Sequence, residues 1–161
     1  MRSLARDSIR IVHVDDDDDF AAISARELRR AGFSQPVVRC RDGLRARDYF
    51  STIKAQAMPD VILLDLQMPG MNGLEVLSWI RQNYRDRDVT VVLLTSSEDP
   101  EHRRQAAASG VTSYLLKAPL ADALVQKLDG LIAMRNREKP ETPAEMDETF
   151  EPVSSRRNEF Q

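Results

Sequence analysis

Val61-Ile62-Leu63-Leu64-Asp65-Leu66-Gln67-Met68-Pro69-Gly70-Met71-Asn72-Gly73 is the stretch on which the fold turns. Four apolar residues, preceded by Pro59-Asp60 and running into an acid, read as a strand buried on both faces. Asn72-Gly73 is a turn signal, after which Leu74, Leu77 and Ile80 recur at helical spacing. Strand, polar loop and helix follow one another, and the same unit repeats on either side. Upstream, Ile9 to Val14 predicts a strand, and a helix from about Asp18 closes at Gly32, a residue suited to the position just past a helix end. Pro36 opens a short strand, Val37 to Cys40, and Gly43 leads into an amphipathic stretch with Leu44, Tyr49, Phe50 and Ile53 as its apolar positions. Downstream, Val89 to Leu94 predicts a buried strand, followed by a helix that starts near Pro100 and ends at Gly110. Ser113 to Leu116 is the fifth strand, and Leu120, Leu124, Leu128 and Leu131 mark a last helix running close to Met134. Five strand–helix units in strict alternation predict an α/β fold, a parallel sheet covered on both faces.

Composition limits what such a fold could do. The chain has 161 residues, with 42% apolar and 30% charged, enough for one packed domain. Its 23 Lys+Arg against 26 Asp+Glu give a net charge of −3, and no block is strongly basic. Binding to nucleic acid through phosphate neutralisation is therefore not expected. Cys40, the one cysteine, forms no intrachain disulfide and excludes a four-cysteine zinc site; it reads as a small packed residue. No apolar stretch reaches the ~18 residues of a membrane span, and the start lacks the apolar segment of a secretory signal. A soluble cytoplasmic protein is the expectation. From Arg135 to Gln161, 12 of 27 residues are charged and three are proline, with no helical or strand period. Residues 135–161 are expected to be a mobile tail, residues 9–134 the domain and residues 1–8 an N-terminal extension. A partner-binding peptide around Met146 to Val153 is the sharper reading of the tail.

Ligands of open α/β sheets bind just past the carboxyl ends of the strands. There the sequence puts Asp15-Asp16, Asp65, Thr95 and Lys117. Two unit charges ~4 Å apart repel by ~4 kcal/mol at an effective dielectric of ~20, so three clustered carboxylates need compensation. Lys117 supplies one positive charge, and a hard divalent cation such as Mg²⁺ suits the rest. Zinc is disfavoured, because His13 and His102 have no thiol or carboxylate partner at ligand spacing. Both histidines read as non-functional. Asp15 to Asp19 is split: Asp15 and Asp16 belong to the site, Asp18 and Asp19 cap the helix or face solvent, and Asp17 stays undecided.

These residues resemble the receiver domains of two-component response regulators. Val14-Asp15-Asp16-Asp17 is similar to that family's acidic pair, and Asp65 to Gly73 to its phosphoacceptor segment. Thr95-Ser96 and Lys117 resemble its hydroxyl and lysine, and Tyr114 its aromatic switch. The resemblance spans about Ile9 to Met134. It implies a flavodoxin-like fold with sheet order 2-1-3-4-5, and Asp65 accepting a phosphoryl group from a histidine kinase. It further implies Mg²⁺ held by Asp15, Asp16, Asp65 and the Gln67 backbone carbonyl. Thr95 and Tyr114 would respond to phosphorylation, and Gln67 and Ser97 would tune the phosphoryl lifetime. The family usually has proline straight after the lysine; here Lys117-Ala118-Pro119 predicts a trans Lys117–Ala118 bond.

Rival classes make different demands. A flavin module needs a phosphate-cradling loop after the first strand, where five aspartates would repel a phosphate. A haloacid-dehalogenase-like phosphatase needs an acid two residues after its nucleophile, where Gln67 stands. A receiver-like scaffold acting without phosphorylation would not need the full set of polar residues. The 27-residue tail is too short and polar for a helix-turn-helix module, so output through protein contacts or a phosphorelay is expected. The context of Trp79, itself a structural or interfacial residue, and Leu94 to Glu98 look like the stand-alone receivers paired with phytochrome-type or hybrid kinases. A homodimer through the last helix or tail is compatible with the sequence but not required by it.

Overall fold

The computed structural model describes residues 5–84, 88–118 and 121–138. Ten elements alternate along the chain: β1 (Ile11–Val14), α1 (Asp18–Arg30), β2 (Val38–Cys40), α2 (Gly43–Thr52), β3 (Val61–Asp65), α3 (Gly73–Asn83), β4 (Thr90–Thr95), α4 (Pro100–Ala108), β5 (Ser113–Leu116) and α5 (Ala121–Glu138). The five strands form one parallel sheet in the order β2-β1-β3-β4-β5. Parallel strands need crossovers, and α1, α2, α3 and α4 supply them, while α5 follows the last strand. Because side chains alternate along a strand, the sheet has two apolar faces. Val12, Val14, Ile62, Leu64, Val91 and Leu93 pack with Phe50 of α2, Leu77 and Ile80 of α3 and Ala106 of α4. Ile11, Val61, Leu63, Val92 and Leu94 pack with Phe20 and Leu28 of α1 and Leu124 and Leu128 of α5. No helix among the described residues is long and apolar enough to cross a membrane.

Local signals set the ends of most elements. The Asp17 carboxylate accepts from the Phe20 N–H at 3.0 Å and caps α1, which settles the undecided member of the acidic run. Asp42, Asn72 and Asp99 cap α2, α3 and α4 in the same way. Gly32, just past α1, has φ +93°, a conformation that favours glycine. β1 begins at Ile11 rather than Ile9, although Ile9 is still buried, and β4 runs one residue past Leu94 to include Thr95.

Tertiary contacts shape both ends of the described chain. Helix α5 continues four residues beyond Met134 to Glu138. Arg135 there donates to the Asp88 carboxylate at 3.0 Å and the Asp60 carbonyl at 3.1 Å. These are tertiary bonds between residues far apart in the chain, and composition does not report them. Residues 139–161, including the segment from Met146 to Val153, lie outside the described residues, as does Pro119. The described part of the N-terminal extension is docked. Arg6 pairs with Asp129 of α5, donates to the Ala31 carbonyl and lies 5.7 Å from the Phe33 ring centroid.

Tyr84 closes α3, stacks edge-on against Trp79 and donates its hydroxyl to the Phe50 carbonyl. Trp79 thus packs within the fold. Tyr84→Phe leaves that carbonyl without its donor and is expected to cost about 1 kcal/mol, read as a lower urea midpoint with an unchanged slope.

Candidate functional site

The register of the sheet brings the predicted residues to one edge. Val14 pairs with Leu64, so Asp15 and Asp65 follow in step at the ends of β1 and β3. Asp65 pairs with Leu94, and Thr95 stands one step further on β4. Thr95 pairs with Leu116 and its carbonyl accepts from the Lys117 N–H at 2.8 Å, which sets Lys117 at the same rim. The tight helix start after the β3 loop helps hold Asp65: the Gly73 N–H donates to the Leu66 carbonyl at 3.0 Å.

The side chains converge. Lys117 Nζ is 2.9 Å from Asp15 Oδ2, 3.1 Å from Asp15 Oδ1 and 3.4 Å from Asp65 Oδ2. Asp15 is fully buried and Asp65 is 3% exposed, whereas Asp16 faces solvent. One carboxylate oxygen from each of Asp15, Asp16 and Asp65 lies within 4.8 Å of the others. The Asp17 N–H donates to Asp15 Oδ1 at 2.9 Å, and the Gln67 N–H to Asp65 Oδ1 at 3.3 Å. Asp15 Oδ2 has its charge neighbour, Lys117, but makes no hydrogen bond of proper geometry. A buried carboxylate oxygen with free lone pairs beside two other acids suits a hard cation. The residues present therefore fit a divalent ion such as Mg²⁺.

Electrostatics separate the two buried acids. Burial pushes Asp15 up, but the His13 ring, the Asp17 N–H and Lys117 outweigh it and bring its carboxyl down to about 2. Burial also pushes Asp65 up, and repulsion from Asp15 adds to it; Lys117 and the Gln67 N–H offset this only in part, leaving about 7. Burial lowers Lys117, yet its bonds to Asp15 and its pairing with Asp65 raise it overall, so it stays an ammonium.

A second network starts from Thr95. The Ser97 N–H donates to Thr95 Oγ1 at 3.0 Å, and the Ser97 carbonyl accepts from the Tyr114 hydroxyl at 3.0 Å. Thr95 and Tyr114, the two residues expected to respond together, are thus joined through Ser97. Arg103 of α4 lies 5.4 Å from the Tyr114 ring centroid. Ser97 Oγ is also 2.7 Å from His102 Nδ1 and accepts from the Asp99 N–H.

Four neighbours of the site were not legible beforehand. His13, expected to be a plain strand residue, is buried with Nε2 3.4 Å from Asp15 Oδ2. His102 holds Ser97. Arg39 of β2 donates to the Asp15 carbonyl at 3.2 Å and pairs with Asp18 at 2.6 Å, so β2 also contributes to the surroundings of the site. Phe20 lies under Lys117, with Nζ 4.6 Å from its ring centroid. Each is brought there by the fold and carries no motif of its own.

A five-stranded parallel sheet in this order, with acids ending β1 and β3, defines a CheY-like protein of the flavodoxin-like α/β class. The chain belongs to the response regulator receiver domain family, whose model matches residues 11–129. It is 36% identical over 115 residues to the probable methanogenesis regulatory protein FilR2 of Methanothrix harundinacea, covering 70% of this chain and 74% of that protein. It is 33% identical over 126 residues to the transcriptional regulatory protein CitT of Halalkalibacterium halodurans, covering 78% of this chain. The match spans only about half of CitT, 53%. Among solved structures, the receiver domain of the response regulator NarL from Mycobacterium tuberculosis is similar, with TM-score 0.67 and 28% identity. That match covers 78% of this chain and 96% of the NarL domain. The Vibrio cholerae chemotaxis protein CheY4 has TM-score 0.64 and 25% identity over 76% of this chain and 97% of its own.

Proposed function

We propose that Asp65 accepts a phosphoryl group from the phosphohistidine of a sensor histidine kinase, in a reaction that requires Mg²⁺. The observation that carries this reading is the convergence of Asp15, Asp16, Asp65 and Lys117, with a buried carboxylate oxygen left free of hydrogen bonds. Receiver domains generally bind Mg²⁺ and interact with histidine kinases, which supports it. Asp65 is the nucleophile: one carboxylate oxygen bonds to phosphorus as the P–N bond to the donor imidazole breaks. The bonding pair leaves with the imidazole nitrogen. Lys117, already within 3.4 Å of Asp65, stabilises charge on the transferred group. Asp15, Asp16, Asp65 and the Gln67 carbonyl would hold the metal, which when bound supplies positive charge to the phosphoryl oxygens. Thr95 then donates its hydroxyl to a phosphoryl oxygen. That motion pulls on Ser97 and, through it, on Tyr114, so the loop after β4 carries the change to partner proteins. Gln67 and Ser97 set the lifetime of the phosphoryl group.

The testing experiment is incubation with acetyl phosphate and Mg²⁺, read by intact mass for the wild type and Asp65→Asn. A phosphoryl adduct on the wild type alone is the expected result. Equal labelling of both proteins removes Asp65 from the role, and labelling of neither favours a phosphorylation-independent scaffold. Continuous turnover of unrelated phosphate esters instead revives the phosphatase.

A further inference from the structure

The Lys117 ammonium is held by more than carboxylates. Its Nζ lies 4.6 Å from the centroid of the Phe20 ring, inside the ~6 Å range over which an aromatic face attracts a cation. Phe20 is itself fixed. Its N–H is bound by the Asp17 cap, its ring meets the His13 ring edge-on at 5.8 Å, and it packs with Leu63, Leu94 and Leu124. The bland reading is that Phe20 only fills the core between α1 and the sheet. The position of the ammonium says more.

Lysine is a point charge on a flexible four-carbon stem, and Ala118 after it imposes no backbone restraint of the kind proline does. What aims Lys117 is therefore its partners. Asp15 and Asp65 are two of them, and both belong to the cluster that suits a divalent cation. An ammonium and a divalent ion sharing those oxygens repel twice as strongly as two single charges at the same distance. The Phe20 ring is exempt from that contest. It bears no charge, and a hard cation takes oxygen ligands rather than a ring face.

We propose that Phe20 is a positioning residue for Lys117: its ring face keeps the ammonium beside Asp65 while a divalent cation takes up the carboxylates. This rests on the reading of Asp65 as phosphoryl acceptor. A ring that supplies packing alone would be replaceable by any apolar group of similar size; one that supplies its face would not.

The experiment has two arms, both on the full chain. In the first, the Lys117 Cε methylene protons are followed by NMR without and with saturating Mg²⁺. Ring currents from Phe20 are expected to shift them upfield in both conditions, and Phe20→Leu to remove the shift. In the second, Phe20 is replaced by mono-, di- and trifluorinated phenylalanine, which weaken the face of the ring at nearly constant size. The phosphorylation rate with acetyl phosphate is expected to fall stepwise, roughly threefold to tenfold by the last member, and to be recovered in Phe20→Tyr. Mg²⁺ affinity and the urea midpoint are expected to hold across the fluorinated series. An absent upfield shift, or one lost on adding Mg²⁺, overturns the proposal. So do rates that are flat across the series or that merely follow stability. A wild type that takes no phosphoryl group ends the acceptor reading of Asp65, and the NMR arm still decides the place of Phe20.

Discussion

Asp65→Asn is expected to abolish phosphoryl incorporation and, in the absence of metal, to make the protein more stable above neutral pH. Both effects come from one carboxylate. Asparagine has no anionic oxygen to attack phosphorus, so the mass shift disappears rather than diminishes. The stability effect follows from linkage. Burial and the charge of Asp15 raise the Asp65 carboxyl from an ordinary 3.8 to about 7, so the folded state binds this proton more tightly than the unfolded chain does. The favourable contribution is complete below pH ~4, declines as pH rises, and is gone once the group ionises above about 7. Asp15 slopes the other way. Held down at about 2, it stabilises above pH ~4 and loses that contribution as pH falls toward 2. Metal-free wild type should therefore be most stable between these limits. At pH 8 Asp65→Asn should exceed it by on the order of 2–4 kcal/mol, the gap closing toward pH 5. Urea titrations in chelator from pH 4 to 9 measure this directly, and parallel curves for the two proteins would refute it. Mg²⁺ should raise the wild-type midpoint by mass action and Asp65→Asn much less.

The second large effect is expected at a residue with no chemistry of its own. A Cβ built on Gly73 would lie 2.2 Å from the Asp65 carbonyl oxygen and 3.0 Å from the Leu66 Cα. Both neighbours are backbone, so no side chain can swing away to relieve the contact. Gly73→Ala must push the start of α3 off the end of β3, breaking the 3.0 Å bond from the Gly73 N–H to the Leu66 carbonyl. A loss on the order of 3 kcal/mol or more follows, together with a weaker Mg²⁺ response, because the strand end that the new methyl presses against carries Asp65. Gly70 is the informative comparison. It has φ +75° and open space around its Cβ position, so Gly70→Ala meets conformational strain alone, about 1–2 kcal/mol. Equal losses at the two positions would show that the close approach of α3 to Asp65 does not matter.

Much of this architecture could be read from residues close together in the chain. The run Val61 to Leu64 is buried as its uninterrupted apolar pattern implies, and the capping side chains Asp42, Asn72 and Asp99 stand where their helices start. Capping and periodicity are short-range effects, so local sequence reports them well. Boundaries moved where long-range bonds extend an element. Arg135, in a stretch whose composition suggests a tail, bonds to Asp60 and Asp88 and lengthens α5. The site divides in the same way. Asp15, Asp16, Asp65, Thr95 and Lys117 were legible because a strand end is a local event and parallel strands end on one side. The bond from Lys117 to Asp15 spans 102 positions, and nothing local encodes its length.

The amino-acid order alone thus settled that five strands alternate with five helices and that acids, a hydroxyl and an ammonium close the strands, because those properties depend on neighbours a few residues away. Only the folded chain decided that burial and the charge of Asp15 push the Asp65 carboxyl up, while His13, the Asp17 N–H and Lys117 hold that of Asp15 down. It also decided that His13 and Phe20 stand beside Asp15 and Lys117, and that Thr95 reaches Tyr114 through Ser97. Those outcomes rest on through-space distances of a few ångströms, which are set when distant segments pack on a shared sheet.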